Sequence, residues 1–297
     1  MKVLFIAPFD LTLRDGTSIR VSNIARATAR ICKDVFLLSY TINEELKTLS
    51  NLVHIKMKTI QVRQHFIIAF TDIINPQLAF KLASRFLESS FTMMKGAIED
   101  VDVIYTHWLL FSYLAKSLRL LVNQHIPVVV DLHGLFRLQK PPKHSMRDIL
   151  AYTLGLIHET IIIKNKFIKA FTVPSKRFRE FLKEAYTLDP SRVFEVPDVV
   201  DPEVIESARK CKEFDEEIRK FLGECPELRD TVAYIGTIST YHGFFDLIKA
   251  IKIAKKIAKR DFKLLLIIPD FKQLVKFSAL LPKNTIILEN IHSREYP

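Results

Sequence analysis

The sequence contains few glycines, few cysteines and no long apolar run, and each shortage excludes a class of protein. Only 7 of the 297 residues are glycine, and they form neither a G-x-G-x-x-G fingerprint nor a Walker A loop. The missing fingerprint disfavours a nicotinamide-dependent dehydrogenase. Cys32, Cys211 and Cys225 are odd in number, and their spacing matches no metal site or disulfide framework. We therefore expect reduced thiols in a reducing compartment.

No apolar stretch of the sequence is long enough to cross a bilayer. The run over residues 66–74 is interrupted by Asp72, and the run over residues 149–163 by His158 and Glu159. The apolar start of the chain ends at Asp10, too early for a signal peptide. These features predict a cytoplasmic protein that is at most peripheral at the inner face of a membrane.

The sequence does contain a sizeable hydrophobic fraction and an excess of positive charge. Hydrophobic residues make up 48% and charged residues 26% of the chain, which is typical of a folded protein. The net charge of +11 indicates anionic partners, either nucleotide phosphates or an acidic membrane surface. Nucleic acid is not predicted as a partner, because no RNA- or DNA-binding signature accompanies the charge.

Strand and helix patterns alternate along the chain, and this predicts a doubly wound α/β fold. A helix beginning near Thr17 has an i, i+3, i+4 pattern that predicts Val21, Ala25 and Ile31 as buried and Arg20 as facing solvent. Strands are predicted over residues 2–8, 35–39, 53–57, 101–105, 128–132 and 170–174, and further helices over residues 76–99, 109–123, 146–164 and 176–185.

A second, shorter series of strands and helices follows a connecting segment over residues 189–202. Chain length and this change of pattern predict two domains, an N-terminal Rossmann-like domain over residues 1–197 and a partial one over residues 198–297. The second has strands near Tyr234, Leu265 and Ile287, about half the usual number for such a domain. An unfinished sheet exposes an apolar edge, so the sequence also predicts self-association or a further polypeptide that completes the domain.

Chemically active residues follow three predicted strands of the first domain, at the edge where open α/β sheets bind ligands. Gly16 and Thr17 open the first helix, where backbone N–H groups favour an anion. His107 and the pair His133-Gly134 each follow a strand, and an imidazole there can bind a substrate hydroxyl or transfer a proton. We predict Gly16, Thr17, His107 and Gly134 as substrate-binding residues. The alternative is a plain turn at Gly16 and histidines bonded to backbone carbonyls.

The second domain has a comparable strand–turn–helix connection between Gly236 and Gly243. Its small residues and the start of the following helix predict a cradle for a diphosphate, lined by Thr237 and His242. An ordinary connection between a strand and a helix, with His242 on the surface, is an equally open interpretation.

These segments, in this order, resemble glycosyltransferase family four, a group of retaining enzymes with the two-domain GT-B fold. The resemblance covers nearly the whole chain, with two departures: Asp15-Gly16 stands where the family usually has a glycine pair, and Asp198-Val199 where it usually has Asn-Gly. The stretches that carry the resemblance are KVLFIAP at residues 2–8 with Gly16, VVVDLHG at 128–134, TVPS at 172–175, the segment 189–201, and residues 232–250.

The resemblance implies a role for the main candidate residues. His133 would be the catalytic residue and contact the transferred sugar, and Gly16 would let the donor phosphates or the acceptor approach the first helix. The loop over residues 236–243 would hold the nucleotide diphosphate, with Thr237 and His242 where the family often has arginine and lysine. The resemblance also implies that neither a metal nor another cofactor takes part, and that the configuration of the sugar is retained.

Two functions remain open. The first is transfer of a sugar from a nucleotide-diphospho-sugar donor to a hydroxyl of a glycan or lipid-linked acceptor, in the cleft between the domains. The second is a truncated, transferase-like protein that acts as a binding or scaffolding partner, because the family's donor-binding region with two spaced glutamates has no counterpart in the sequence. Binding of nucleotide sugars distinguishes the two.

Overall fold

The computed structural model describes residues 1–12, 16–59, 61–85, 96, 100–122, 125–138, 146–198, 231–236, 238, 243–259, 261–268, 272–275 and 277–289. Contacts between residues divide the chain into two compact units, Met1–Val199 and Val200–Pro297. Residues 199–230 lie outside the described part, so the domain boundary predicted between residues 197 and 198 stays a prediction.

The first unit is built around a parallel sheet of seven strands in the order β3-β2-β1-β4-β5-β6-β7. The chain starts in β1, winds outward to β3, and returns to the other side of β1 before it continues to β7. This arrangement confirms the predicted doubly wound α/β sheet and places the change of direction between β1 and β4. The strands are β1 (Lys2–Ile6), β2 (Asp34–Ser39), β3 (Leu52–Lys56), β4 (Val103–His107), β5 (Val128–Asp131), β6 (Ile168–Val173) and β7 (Val193–Glu195).

Helices connect these strands, and side-chain caps mark where two of them begin. The Asn43 side chain accepts a hydrogen bond from the backbone N–H of Leu46, and the Ser175 hydroxyl accepts one from the N–H of Phe178. No helix in the described ranges is both long and apolar enough to cross a membrane. The helices are α1 (Gly16–Ile31), α2 (Glu44–Lys47), α3 (Val62–Ile74), α4 (Ser112–Val122), α5 (Met146–Ile163) and α6 (Lys176–Tyr186), with further helical residues at 76–85.

The central strand β1 shows why the strand segments are continuously apolar. Leu4 and Ile6 belong to the larger core cluster, whereas Val3 and Phe5 belong to a second cluster. None of the four side chains is more than 3% exposed. Successive side chains of a strand point to opposite faces, so a strand that is covered on both faces has no polar positions.

The second unit contains a smaller parallel sheet of three strands in the order β10-β9-β8. Helix α7 buries Phe244, Ile248 and Ile251 against it, while Lys252 and Lys255 remain exposed. The elements are β8 (Thr231–Ile235), α7 (Phe244–Ala258), β9 (Lys263–Ile268), α8 (Lys272–Val275) and β10 (Thr285–Glu289).

The structure contains helices α2 and α3 and strand β7, which the sequence pattern does not predict, and it corrects two burial predictions in α1. Helix α3 is not predicted by the sequence pattern, in which Asp72 interrupts the apolar run; this carboxylate is buried and accepts a hydrogen bond from Nζ of Lys116 at 2.9 Å. In α1 the predicted burial of Ile31 and exposure of Arg20 are both wrong, because Ile31 is 83% exposed and Arg20 is 6% exposed. The burial of Arg20 follows from a charge partner that lies far away in the sequence.

Three buried histidines make the stability of the protein depend on pH. His65, His107 and His158 are at most 3% exposed, and burial lowers the pKa of each ring from 6.5 to about 4. Between these values the unfolded chain binds protons that the folded chain does not, so stability decreases as the pH falls through this window. Each ring adds a slope of up to about 1.4 kcal/mol per pH unit. Burial raises the pKa of Asp72 and Glu159, which reduces the net slope.

We therefore expect the free energy of unfolding, measured with urea, to be lower at about pH 5 than at about pH 7 by roughly 2 kcal/mol or more. Equal free energies at the two pH values would contradict the neutral, buried state of these rings. So would NMR signals of the three rings that titrate near the ordinary histidine value.

Candidate active site

The carboxyl ends of three neighbouring strands bring polar residues together in the first unit. His107 ends β4 and pairs in register with Asp131, which ends β5. Asp131 in turn pairs with Thr172 of β6, and His133 follows two residues after Asp131. This edge lies beside the change of chain direction between β1 and β4, which is where open α/β sheets collect their ligands.

The Asp131 carboxylate is the centre of the cluster and is completely buried. Nη2 of Arg20 donates to Oδ1 at 2.8 Å, and Nε of Arg20 donates to Oδ2 at 2.9 Å. The Thr172 hydroxyl also donates to Oδ1, at 2.7 Å. Burial by itself would raise the pKa of Asp131, but the hydrogen bonds from Arg20 and then the contacts with His107 and His133 outweigh it and hold the pKa well below its usual range. The carboxylate is therefore ionised.

Two histidine rings lie against the same oxygen of this carboxylate. Nδ1 of His107 is 2.9 Å and Nδ1 of His133 is 3.5 Å from Oδ2 of Asp131. The rings are stacked, with centroids 4.2 Å apart and planes inclined by 25°. Neither Nδ1 makes a well-aligned hydrogen bond, so the contacts are mainly electrostatic.

The two histidines differ in how far they reach solvent. The His107 side chain is 1% exposed, and burial lowers its pKa to about 4, so the ring is neutral near pH 7. The His133 side chain is 24% exposed. His133 is therefore the member of the pair that a ligand can touch, while His107 lies beneath it.

The residue after His107 has a strained backbone. Trp108 has φ 74° and ψ 137°, a region that glycine adopts and other residues avoid, at a cost of about 1–3 kcal/mol. Its N–H donates to the carbonyl of Asp131 at 3.1 Å, and its ring packs edge-on against Phe111. Strain of this kind persists where the surroundings enforce it, and it often marks functional sites.

The helix start at Gly16 is connected to the histidine cluster through α1. Gly16 is exposed, Thr17 is half-buried, and Arg20 follows Gly16 by one helical turn. A side-chain carbon at Gly16 would meet no atom within 4 Å. The structure thus brings His107, His133 and half-buried Gly134 to one edge of the sheet. Gly16 and Thr17 lie about one helical turn before Arg20, which contacts Asp131 at this edge. Their roles in binding stay predictions.

The predicted diphosphate cradle lies in the second unit, and its two glycines have a left-handed backbone. Gly236 has φ 140° and Gly243, which caps α7, has φ 74°, so both positions favour glycine. The N–H of Gly236 donates to the carbonyl of Ile267 at 3.0 Å. Thr237 and His242 lie outside the described residues.

The sequence pattern did not predict Arg20 and Asp131, the ion pair that holds the two histidines. Arg20 also reaches the end of the first unit, where its Nη1 donates to Oδ1 of Asp198 at 2.5 Å and its Nη2 to the carbonyl of Val196 at 3.0 Å. Asp131 is the residue from which this ion pair could have been predicted. It follows three valines at the end of a strand, and a carboxylate that is buried there needs a cationic partner.

One cluster in the described part of the chain has the ligand types of a metal site. The ligand atoms of His107, Asp131 and His133 lie within 4.8 Å of one another. Both carboxylate oxygens, however, already accept N–H groups of Arg20, and the stacked rings direct their Nδ1 atoms at one oxygen. The arginine thus supplies the positive charge that a metal ion would bring, and the residues fit an ion-paired histidine cluster better than a metal centre.

Comparison with known proteins identifies the family. The sequence profile of Glycosyltransferase Family 4 matches residues 14–204, more than half of the chain. No curated protein matches the chain by sequence.

Several solved structures share the fold. A glycosyltransferase from Rickettsia africae is 16% identical and aligns over 97% of this chain and 68% of its own, with a TM-score of 0.55. Sucrose-phosphate synthase from Thermosynechococcus elongatus is 14% identical over 99% of this chain and 71% of its own, with a TM-score of 0.61. HepE from Anabaena, solved in complex with UDP and glucose, is 13% identical over 99% and 71%, with a TM-score of 0.53.

The family match spans the strands that carry His107, Asp131 and His133, and the solved structures extend the likeness of fold to nearly the whole chain. The chain therefore belongs to glycosyltransferase family 4 and has the α/β GT-B fold of these transferases.

Proposed function

We propose that this transferase moves a glycosyl group from a nucleoside diphosphate sugar to an acceptor hydroxyl, and that the transferred sugar lies against His133. The observation that carries the proposal is the half-buried His133 ring, stacked on His107 and held over the Asp131–Arg20 ion pair. An imidazole held in this way at the carboxyl edge of the sheet presents one nitrogen to a ligand.

The carboxylate decides which nitrogen of His133 meets the sugar. Nδ1 faces Oδ2 of Asp131, so the negative charge favours the tautomer with its proton on Nδ1. Nε2 is then an acceptor for a hydrogen bond from a sugar hydroxyl. Such a bond orients the sugar and its reacting carbon.

The leaving diphosphate would be held by the loop over residues 236–243. The glycines at 236 and 243 leave room for an anion, and the N-terminus of α7 offers it N–H groups. Thr237 and His242 would add a hydroxyl and an imidazole to this cradle. We propose no metal and no other cofactor in the reaction, and we propose retention of configuration because the family resemblance implies it.

The acceptor is proposed to be a hydroxyl of a glycan or of a lipid-linked molecule. The net charge of +11 favours an acceptor that is found at an anionic surface. A protein that works there would associate with the inner face of a membrane without crossing it.

Thermal unfolding with a panel of uridine, guanosine and adenosine diphosphate sugars tests the donor. A donor at about 100 times its Kd adds about 2.7 kcal/mol of stability, which raises the Tm of a chain of this size by roughly 5 °C. The matching nucleoside monophosphate lacks the second phosphate and should raise the Tm less. Unchanged Tm values with every nucleotide sugar would contradict the proposed transfer and favour a binding or scaffolding role.

A further inference from the structure

The helix α5 is apolar on the side that faces solvent. Met146 is 82%, Leu150 61% and Ile157 47% exposed. A surface helix of a globular protein ordinarily turns a polar face to water, and a continuous exposed apolar face indicates an interaction site. The exposed side chains described in α5 all lack charge; they are Met146, Ile149, Leu150, Ala151, Thr153, Leu154, Ile157 and Ile161.

The large apolar side chains form one stripe along the helix, which we call the α5 face. They recur at intervals of four, four, three and four residues, which places them on the same side; they are Met146, Leu150, Leu154, Ile157 and Ile161. The helix has 18 residues, so the stripe runs for about 25 Å.

Two ionisable residues of α5, His158 and Glu159, are turned inward. His158 is 3% and Glu159 2% exposed. The Glu159 carboxylate accepts hydrogen bonds from the N–H groups of Phe136 and Arg137 and from the Tyr186 hydroxyl. Because the fold uses these groups internally, the outer side of the helix keeps its hydrocarbon surface.

Positively charged residues flank the α5 face in the sequence. Lys164 and Lys166 follow the helix directly and are exposed, and Lys164 continues the stripe three residues after Ile161. Before the helix the sequence carries Lys140 and Lys143, and Arg147 is the second residue of α5. Apolar side chains flanked by cations are typical of a helix that lies in the interface of an anionic bilayer, where the cations meet the lipid headgroups.

A second copy of this chain fits the α5 face less well. Pairing through a twofold axis would bring the same basic ends near each other on two chains that each carry a net charge of +11. We propose that the α5 face docks on an anionic lipid bilayer and lies in its surface. This proposal deepens the proposed function, because it names the surface at which the transferase would meet a lipid-linked acceptor. The docking itself requires neither donor nor acceptor.

Flotation of the full chain with lipid vesicles tests this docking. Vesicles of phosphatidylcholine with about 30% phosphatidylglycerol should bind the protein, and vesicles of phosphatidylcholine alone should bind it weakly. Ile157→Glu should lower the bound fraction about tenfold, because a carboxylate replaces hydrocarbon in the buried stripe. Leu120→Glu on α4 is the matched control, since Leu120 is 56% exposed on another helix of the first unit, where Lys116 and Arg119 are bonded to Asp72 and to the carbonyl of Phe167; it should bind like the unmodified protein.

Joint replacement of Lys164 and Lys166 by glutamate tests the electrostatic part without changing the stripe, and it should also lower binding to the anionic vesicles. Absence of binding by the unmodified protein would overturn the proposal, as would equal losses in Ile157→Glu and Leu120→Glu. A dimer that Ile157→Glu dissociates, with no vesicle binding, would assign the face to a second copy instead. The flotation assay contains no nucleotide sugar, so its result is independent of the thermal unfolding test of the donor. Vesicle binding together with unchanged Tm values would support the docking and contradict the proposed transfer.

Discussion

Replacing His133 by alanine is expected to lower glycosyl transfer by at least about a hundredfold, within the range observed when a positioned acid–base group is lost. The ring is the exposed member of the stacked pair, and its Nδ1 faces the Asp131 carboxylate at 3.5 Å. Without it, the sugar loses the hydrogen bond that orients the reacting carbon. Transfer rates with the nucleotide sugar that raises the Tm, compared with the Tm of each variant, measure the effect.

Two further variants separate the chemistry of His133 from its packing. His133→Phe keeps a ring over His107 but removes the nitrogen atoms, so we expect it to be as inactive as His133→Ala. His125→Ala is the matched control, because His125 is exposed and has its ring nitrogen 3.3 Å from a guanidinium nitrogen of Arg119. Undiminished transfer by His133→Phe would show that the imidazole nitrogens do not contact the sugar.

Replacing Asp131 by asparagine is expected to destabilise the first unit by about 3–5 kcal/mol. The change removes the negative charge while Arg20, whose side chain is 5% exposed, stays buried with its charge unbalanced. The guanidinium does not lose its proton to relieve the cost, because an arginine side chain stays protonated in proteins even without a carboxylate partner. Urea unfolding near pH 7 measures the loss.

A double-mutant cycle assigns this loss to the ion pair. Arg20→Met should cost a similar amount, and the pair Arg20→Met with Asp131→Leu should be less damaging than the sum of its members, because no charge is then left buried. Asp198→Asn is the control, since the Asp198 side chain is 72% exposed and an exposed partner contributes less than about 1 kcal/mol. A loss below about 0.5 kcal/mol in Asp131→Asn would refute the central role of the carboxylate.

The pH dependence of this contribution has a definite sign. The folded-state pKa of Asp131 lies below the unfolded value of 3.8, so its stabilising effect is present above that value and is lost as the pH falls through the folded pKa. Between about pH 7 and pH 5 the ion pair therefore contributes a constant amount. The loss of stability expected in that range belongs to the buried histidines.

Local sequence patterns predicted most of the sheet and part of the site. The apolar segments that become β1, β4 and β5 are covered on both faces, so their composition alone marks them. Because parallel strands end at a common edge, the same patterns placed His107 and His133 near each other. Helix α3 escaped prediction because Asp72, which is buried and bonded to Lys116 of α4, interrupts its apolar pattern.

Arg20 shows where such patterns fail. Helical periodicity placed it opposite Val21 and Ala25, on the solvent side, yet it is buried against Asp131, 111 residues away in the chain. Periodicity reports how one helix divides its own residues between apolar and polar sides. It carries no information about a carboxylate delivered by a distant strand, and that carboxylate makes the burial of an arginine favourable.

The amino-acid sequence by itself determined the alternation of strands and helices, because the spacing of apolar residues along the chain marks each element. It also determined that two imidazoles follow strands at the carboxyl edge of the sheet. Tertiary structure alone decided which of the imidazoles faces a ligand, which carboxylate holds both, and which side of α5 stays apolar in water. These outcomes depend on charges and hydrogen bonds between residues far apart in sequence, whose distances are set once the strands have paired.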